Sequence, residues 1–377
     1  MLKTIYLFEL KKLFWAKGNL MVLIGSAVIL GLLAASSIFE ERPAFRETAG
    51  NLDGRTIDAA LIEELKPALE DENGQILSEV KEGDEMYAPI LKVIRQVSGE
   101  EMDLSHIQEV GWYKLRRQRI RQRQEMQGLT DEEKAYWDAQ ESRVHKPFVY
   151  HMHSGPAGLL KSFQALGFFI LILSAVGLSG VYARETSDHM NQLLLCSRNG
   201  KKQLYWIKFS AGVTWILTAA VLLVMVLLIL FGGIYGLKGT NEMLQLVKPL
   251  SMLPTTIGQM LAICLGIFLL AAVLFGAVTM LLSVVTQNAL VVTCVLLGYL
   301  IVDLFAEVPD RFRIMQMIWS LRPNAILMNT GFVNYRLIPL AGHLFLNIQA
   351  APVIYGLIII ASFLIGRWKY RRLQVGK

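Results

Sequence analysis

The residues able to do chemistry in this chain are few and sit in three places. Residues 184–208 put the carboxylate of Glu185 in a stretch with Arg184, Arg198, Lys201 and Lys202, with Asp188 and His189 close by. The same stretch carries Leu193, Leu194 and Leu195 in otherwise polar surroundings. In a helix, neighbours stand about 100° apart, so three consecutive leucines cannot share a face. At least one is expected to face the membrane domain and another a partner. A carboxylate paired at this exposed position would contribute only about 0–1 kcal/mol, so its value would be geometric. A second place is the run Arg116-Arg117-Gln118-Arg119-Ile120-Arg121-Gln122-Arg123. It reads first as a solvated helix face paired with nearby acids, and second as a contact for lipid phosphates or an acidic substrate. The third holds His145, His151 and His153. Histidines at i and i+2 on extended chain can share a metal. With no nearby cysteine and no H-E-x-x-H, they remain weak candidates, and an amphipathic, interfacial role is expected. No catalytic residue, metal or cofactor is assigned to the chain, and no G-x-x-x-x-G-K-[ST] loop is present to hold ATP.

The elements that must position these residues follow from where charge is missing. Hydrophobic residues make up 54% of the 377 and charged residues only 18%, outside the usual balance of a soluble domain. No Asp, Glu, Lys or Arg occurs in 20–39, 162–183, 209–237, 249–302 or 337–366. A bilayer core needs about 20 apolar residues per helix, so a soluble enzyme and a disordered chain are both excluded. The stretch 249–302 is too long for one crossing, and Thr286-Gln287-Asn288 is the natural place to turn. The expected fold is an all-α polytopic membrane protein with six spans, at about 19–38, 160–182, 209–236, 257–285, 289–305 and 350–366. Within those spans no convergent catalytic groups appear, and the nearest charges, Lys161 and Asp303, stand at span ends. Gly258, Ala262 and Gly266, followed by Ala272 and Gly276, give small-residue spacing expected to serve helix packing. Cys196, Cys264 and Cys294 give no disulfide framework and read as small buried hydrophobes.

Between the spans the chain divides further. Residues 1–18 are expected to form an interfacial N-terminal helix, with Leu2, Tyr6, Leu10 and Leu13 on one face and Lys11 and Lys12 off it. The apolar run that follows is too long for a signal peptide and reads as an uncleaved first span. Residues 39–157 form a mostly helical domain with runs at about 56–70, 88–98, 105–127 and 131–144. Thr130-Asp131-Glu132-Glu133 reads as a capping box. Residues 158–306 hold spans two to five with the loop 183–208, and 350–377 the sixth span and a basic tail. In 307–349, stretches 314–321 and 337–346 are expected to be short re-entrant helices, tolerated only if buried against protein.

Charge sets the orientation. Residues 40–157 carry 16 bases and 24 acids, net −8, and the remaining residues carry net +14. Of the 21 bases outside 40–157, 14 fall at the N-terminus, in the loop after span two, or at the C-terminus. The positive-inside rule makes those three regions cytoplasmic and 39–157 extracytoplasmic. The expected location is the plasma (inner) membrane, multi-pass. A net acidic outer domain disfavours nucleic acid as a partner.

Residues 184–208 carry a resemblance. Glu185 ending span two, the Leu193-Leu194-Leu195 core, Lys201-Lys202-Gln203-Leu204 and Lys208 opening span three resemble the loop of ABC type-2 transporter permeases. The sequence departs from that pattern at His189-Met190 and at Arg198. An N-terminal surface helix, six spans and a re-entrant pair before the last span are similar to that family as well. The resemblance implies the permease subunit of an ATP-driven exporter. Separate ABC ATPase subunits would hold the ATP and Mg and dock the loop. A second permease copy or homologue would complete the path, with membrane lipid around it. Glu185, His189, Leu193, Leu194, Leu195, Arg198, Lys201 and Lys202 would then carry the coupling. The alternative is a membrane sensor or scaffold whose outer domain binds a ligand and signals inward. A substantial cytoplasmic output domain would favour it, but the longest cytoplasmic segment here is about 26 residues.

Overall fold

The computed structural model describes residues 2–69, 84, 87–99, 111–187, 203–328, 334–340 and 342–372, with side chains for all of these except 40–51, 68–69 and 185–187. The chain opens with α1 (Leu2–Trp15) and α2 (Lys17–Asn51). A head domain follows, with α3 (Ala59–Leu69), α4 (Ala88–Ser98), α5 (Trp112–Met126) and α6 (Asp131–Glu141). Then come α7 (Ser154–Leu178), α8 (Gly180–Ser187), α9 (Gln203–Ile234), α10 (Ile257–Thr286) and α11 (Ala289–Phe305). Two short helices, α12 (Arg313–Ser320) and α13 (Pro323–Leu327), precede α14 (Asn347–Arg371).

Among the described residues five helical stretches are long and apolar enough to cross a membrane: Lys17–Phe39, Ser154–Arg184, Gln203–Ile234, Ile257–Thr286 and Asn347–Arg371. The chain is a helical membrane protein. The other expected span is α11, a 17-residue apolar helix about 26 Å long. The turn expected at 286–288 is where the structure turns. Gln287 caps α10 in the left-handed region at φ 54°, and the Asn288 side chain accepts from the Leu290 and Val291 amides at 3.0 and 3.3 Å to start α11.

The bundle is centred on α7, which packs against α2, α9, α10, α11 and α13. Glycines allow that crowding. A β-carbon would stand 2.3 Å from Phe231 at Gly158, 2.4 Å from Asn324 at Gly167 and 2.2 Å from Trp215 at Gly177. The small-residue stripe expected to pack is elsewhere, on α10, and three of its five members do so. A β-carbon would stand 2.8 Å from the Thr240 carbonyl at Gly258 and 3.3 Å from Ile216 and Leu178 at Gly276, and Ala272 is buried, whereas Ala262 is exposed and a β-carbon at Gly266 would meet nothing within 4 Å. Periodicity alone cannot say which face of an all-apolar helix meets protein rather than lipid.

The head domain is hung from the bundle at both of its ends. Strand β1 (Arg55–Thr56), just past α2, pairs antiparallel with β2 (Val149–Tyr150), just before α7, with Arg55 opposite Tyr150. Its core joins Leu61, Ile94, Trp137 and a trio of edge-on rings, Trp112, Tyr113 and Phe148. Arg55 and Tyr87 both bond Glu64, and together they draw its carboxyl down to about 2. The capping box forms as expected, with Thr130 accepting from the Glu133 amide and Glu133 from the Thr130 amide.

Glu133 does more than cap. Its side chain is buried, and it also accepts from Arg313 at 2.7 Å and from the Leu337 amide at 2.8 Å. Trp137 donates to the Tyr335 carbonyl, and the Tyr335 hydroxyl donates to the Leu250 carbonyl at 2.6 Å. The head domain is thereby fixed to both chain segments at its end of the bundle. The basic run is not simply a solvated face: its first member, Arg116, is buried. It pairs with Glu141 and donates to the carbonyls of Pro249 and Ser251 at 2.6 and 2.8 Å. Arg119 donates to the Ser98 carbonyl, while Arg117 and Arg121 are exposed.

After α11 the chain dips into the bundle and returns. It leaves the head domain at Arg313, descends through α12 to Asn324 beside Gly167, and comes back to Tyr335 against Trp137. Gly167 lies roughly 18 Å along α7 from Gly155, where α7 meets the Gly236 carbonyl. At the bottom of the dip, buried Asp303 accepts from Arg322 and Asn324. The expected helix at 314–321 is α12. The one expected at 337–346 is instead a hairpin, β3 (Ile338–Leu340) against β4 (His343–Phe345), with Leu340 opposite His343. Pro339 lacks the N–H a helix interior needs, and Gly342 takes φ 80°, a turn conformation.

Candidate functional site

The structure brings α1, the junction of α7 with α8, the start of α9 and the last turns of α14 to the bundle end opposite the head domain. α1 is a separate helix, broken from α2 at Ala16. Tyr6, Leu10 and Leu13 are half-buried on its protein side, with Tyr6 and Thr214 sharing a hydrogen bond of 2.8 Å. Leu2 falls on the exposed side with Leu7, Phe8 and Trp15.

The helix carrying the expected second span loses its regular hydrogen-bond pattern at Ser179, whose dihedrals stay helical at φ −56° and ψ −34°. Three side chains from three elements take the carbonyls around the break. Asn19 of α2 donates to Gly177 at 3.3 Å, Ser283 of α10 to Ser179 at 2.6 Å, and Lys208 of α9 to Val181 at 3.0 Å. The Ser283 hydroxyl also accepts from the amides of Tyr182 and Ala183, at 3.2 and 3.1 Å. Asn19, Ser283 and Lys208 are all buried. A backbone interruption inside a packed bundle is tolerated when its polar groups find partners, and these do.

Aromatic rings then tie both roots of the 184–208 segment to α14. Tyr182 stacks on Tyr205 at 5.4 Å and donates to the Tyr205 carbonyl at 3.0 Å. Both rings meet Tyr370 at 5.6 Å, and the Tyr205 hydroxyl donates to the Phe363 carbonyl. Gly366 lets Tyr205 approach, since a β-carbon there would stand 2.4 Å from the hydroxyl. Lys208 has no exposed side-chain surface and lies 3.9 Å from Glu9 of α1 and 5.7 Å from the Tyr182 ring. Movement of α8 is therefore mechanically connected to α1, α9, α10 and α14.

Of the sequence-derived coupling residues, Glu185 lies in α8, and its side chain is outside the described set. His189, Leu193, Leu194, Leu195, Arg198, Lys201 and Lys202 lie outside the described residues, as does Cys196. The histidines do not converge. His151 faces Asp53 at 3.2 Å, His153 turns to the His151 carbonyl, and His145 is exposed. Among the described residues no group of three or more His, Cys, Asp or Glu is placed to hold a metal. Sequence reasoning missed Asn19 and Ser283 and read Ser179 only as packing inside a span; the available signal was a polar residue within an apolar run.

These features define a helical membrane protein with a stitched helix break at one end and a head domain at the other. No family model, no curated protein and no solved structure matches the chain.

Proposed function

We propose that this chain is the permease subunit of an ATP-driven exporter of the ABC type-2 kind, working with separate ATPase subunits and a second permease copy. The observation that carries this reading is the resemblance of residues 184–208 to the coupling loop of those permeases. The mechanical setting of its two roots supports it. A push on the segment would reach α8, the break at Ser179 and, through Tyr182 and Tyr205, the last helix. Glu185 and the 189–202 stretch would receive that push.

The proposed topology has six crossings, both termini cytoplasmic and the head domain outside. Asn19 meets Gly177 and Tyr370 meets Tyr182, so the first and last long helices have their terminal ends together. An even number of crossings would account for this, with α11 as the proposed sixth. It begins next to Ala175, bonded by Thr293, and finishes on Arg322 at the dip. The bases gathered at the termini and around 184–208 favour the cytoplasm for that end. On this topology α12 and α13 re-enter the outer leaflet.

The test combines topology and energetics. In a background lacking native cysteines, Ser78→Cys should react with an impermeant thiol reagent from outside, and Ser197→Cys only after permeabilisation. The chain alone should show no ATP turnover. Reconstitution with a partner ABC ATPase should give turnover coupled to export. External labelling at 197 with none at 78 would reverse the topology, and turnover by the chain alone would overturn the subunit assignment.

A further inference from the structure

A crevice lies where α1 bends into α2, against the α7–α8 break and the start of α9. Its polar lining is Glu9, Lys12, Asn19, Arg184 and Lys208. Three of these are cations and one is an acid. Glu9 stands 3.9 Å from buried Lys208 at the floor and offsets its charge. Asn19 is committed to the carbonyls of Leu13 and Gly177. Lys12 and Arg184 remain, both exposed, and neither has an ion-pair partner among the described residues. Among the described residues, the crevice therefore presents two positive charges without an acidic partner, on a neutralised floor.

The position of Arg184 is built into the backbone. Its side chain folds back over Gly180, where an added β-carbon would lie 2.6 Å from its Nε. Any larger residue at 180 would turn the guanidinium away.

The residues around the crevice are of the kind that favour the headgroup level of a bilayer. Exposed tryptophans mark that level around this end of the bundle: Trp15, Trp206 and Trp368. Arg367 lies over the Trp206 ring at 5.9 Å and Arg372 over Trp368 at 3.9 Å. The exposed side of α1, with Leu7, Phe8 and Trp15, suits an acyl-chain surface beside the crevice.

We propose that Lys12 and Arg184 form a binding site for the phosphate of an anionic phospholipid headgroup, seated between the N-terminal helix and the helix break. The two cations grip the phosphate while its acyl chains run along α1. The site does not depend on the transport reading, because it needs only the bundle and a membrane. A bound lipid would hold α1 against α8 and so bias the break.

The experiment uses the full chain in detergent micelles supplied with equal amounts of phosphatidylglycerol and phosphatidylcholine, with retained lipid read by native mass spectrometry. Phosphatidylglycerol should be retained preferentially. The double variant Lys12→Gln, Arg184→Gln should bind it roughly tenfold more weakly, with retention of phosphatidylcholine and the melting temperature unchanged. Gly180→Ala should weaken it without changing any charge. Arg371→Gln with Arg372→Gln, on the exposed tail of α14, should not. Excess inorganic phosphate should fail to displace the lipid. Equal retention of the two lipids, or undiminished phosphatidylglycerol binding in the double variant, would overturn the site. Displacement by inorganic phosphate would overturn the lipid as its source.

Discussion

The Ser283 hydroxyl of α10 donates to the Ser179 carbonyl 2.6 Å away, across the interruption between α7 and α8. One side chain thus replaces part of a helix's own bonding, because it also accepts from the Tyr182 and Ala183 amides. Ser283→Ala leaves those buried groups without that partner, at a cost of about 1–3 kcal/mol. The expected result is a lower melting temperature and faster amide exchange at 180–184. Unchanged exchange there would show that Ser283 does not hold the break.

The coupling assignment predicts a separation of assembly from folding. Leu194→Glu and Glu185→Ala should each leave expression and melting intact. Association with the partner ATPase, or transport coupled to it, should fall. Normal assembly and transport in both variants would remove the coupling role from this segment, while leaving the family reading to the other tests.

The head domain predicts an acid-dependent weakness. Burial pushes the Glu133 carboxyl upward, but Arg313 and the amides of Leu337 and Thr130 outweigh it and hold the group below its ordinary value. A carboxyl depressed in the folded state adds stability above its unfolded pKa of about 4.3 and loses it as pH falls through the folded value. Melting temperature should therefore be steady near neutral pH and decline in acid. Glu133→Gln should lose about 2 kcal/mol at neutral pH and show a shallower acid decline. Parallel pH profiles for the two proteins would contradict this.

Arg116 predicts where the head domain lets go. Arg116→Met removes the donors that bind Pro249 and Ser251 and takes from Glu141 one of its cations, leaving Lys146. Amide exchange should rise at 244–253 while α10 stays protected. Equal protection of 244–253 in both proteins would show that Tyr335 and Gln124, which also reach Leu250 and Met252, suffice without Arg116.

What the sequence made legible was whatever local chemistry determines. Charge-free runs mark the long helices, Thr286-Gln287-Asn288 marks the turn between two of them, and Thr130 with Glu133 marks a helix start. What stayed hidden was set by distant neighbours. Ser179 looks like packing until Ser283, far along the chain, is seen beside it. Arg116 reads as one arginine among several until Pro249 and Ser251 cover it. The 337–346 stretch is apolar enough for a helix, but Pro339 and the turn at Gly342 favour a hairpin. The candidate coupling residues were legible only as a pattern at 184–208, and their chemistry rests on a surface that another chain would provide.

The β1–β2 pair has a mechanical consequence for the two helices it joins. α2 and α7 are clasped where the head domain begins and ends, with Arg55 facing Tyr150. Two rods clasped at one end can part only by swinging about that clasp, like the arms of tweezers. The arc is widest at the far tips, where Asn19 reaches the Gly177 carbonyl. The head domain is then the fulcrum of the pair, and any parting of α2 from α7 is largest at those tips.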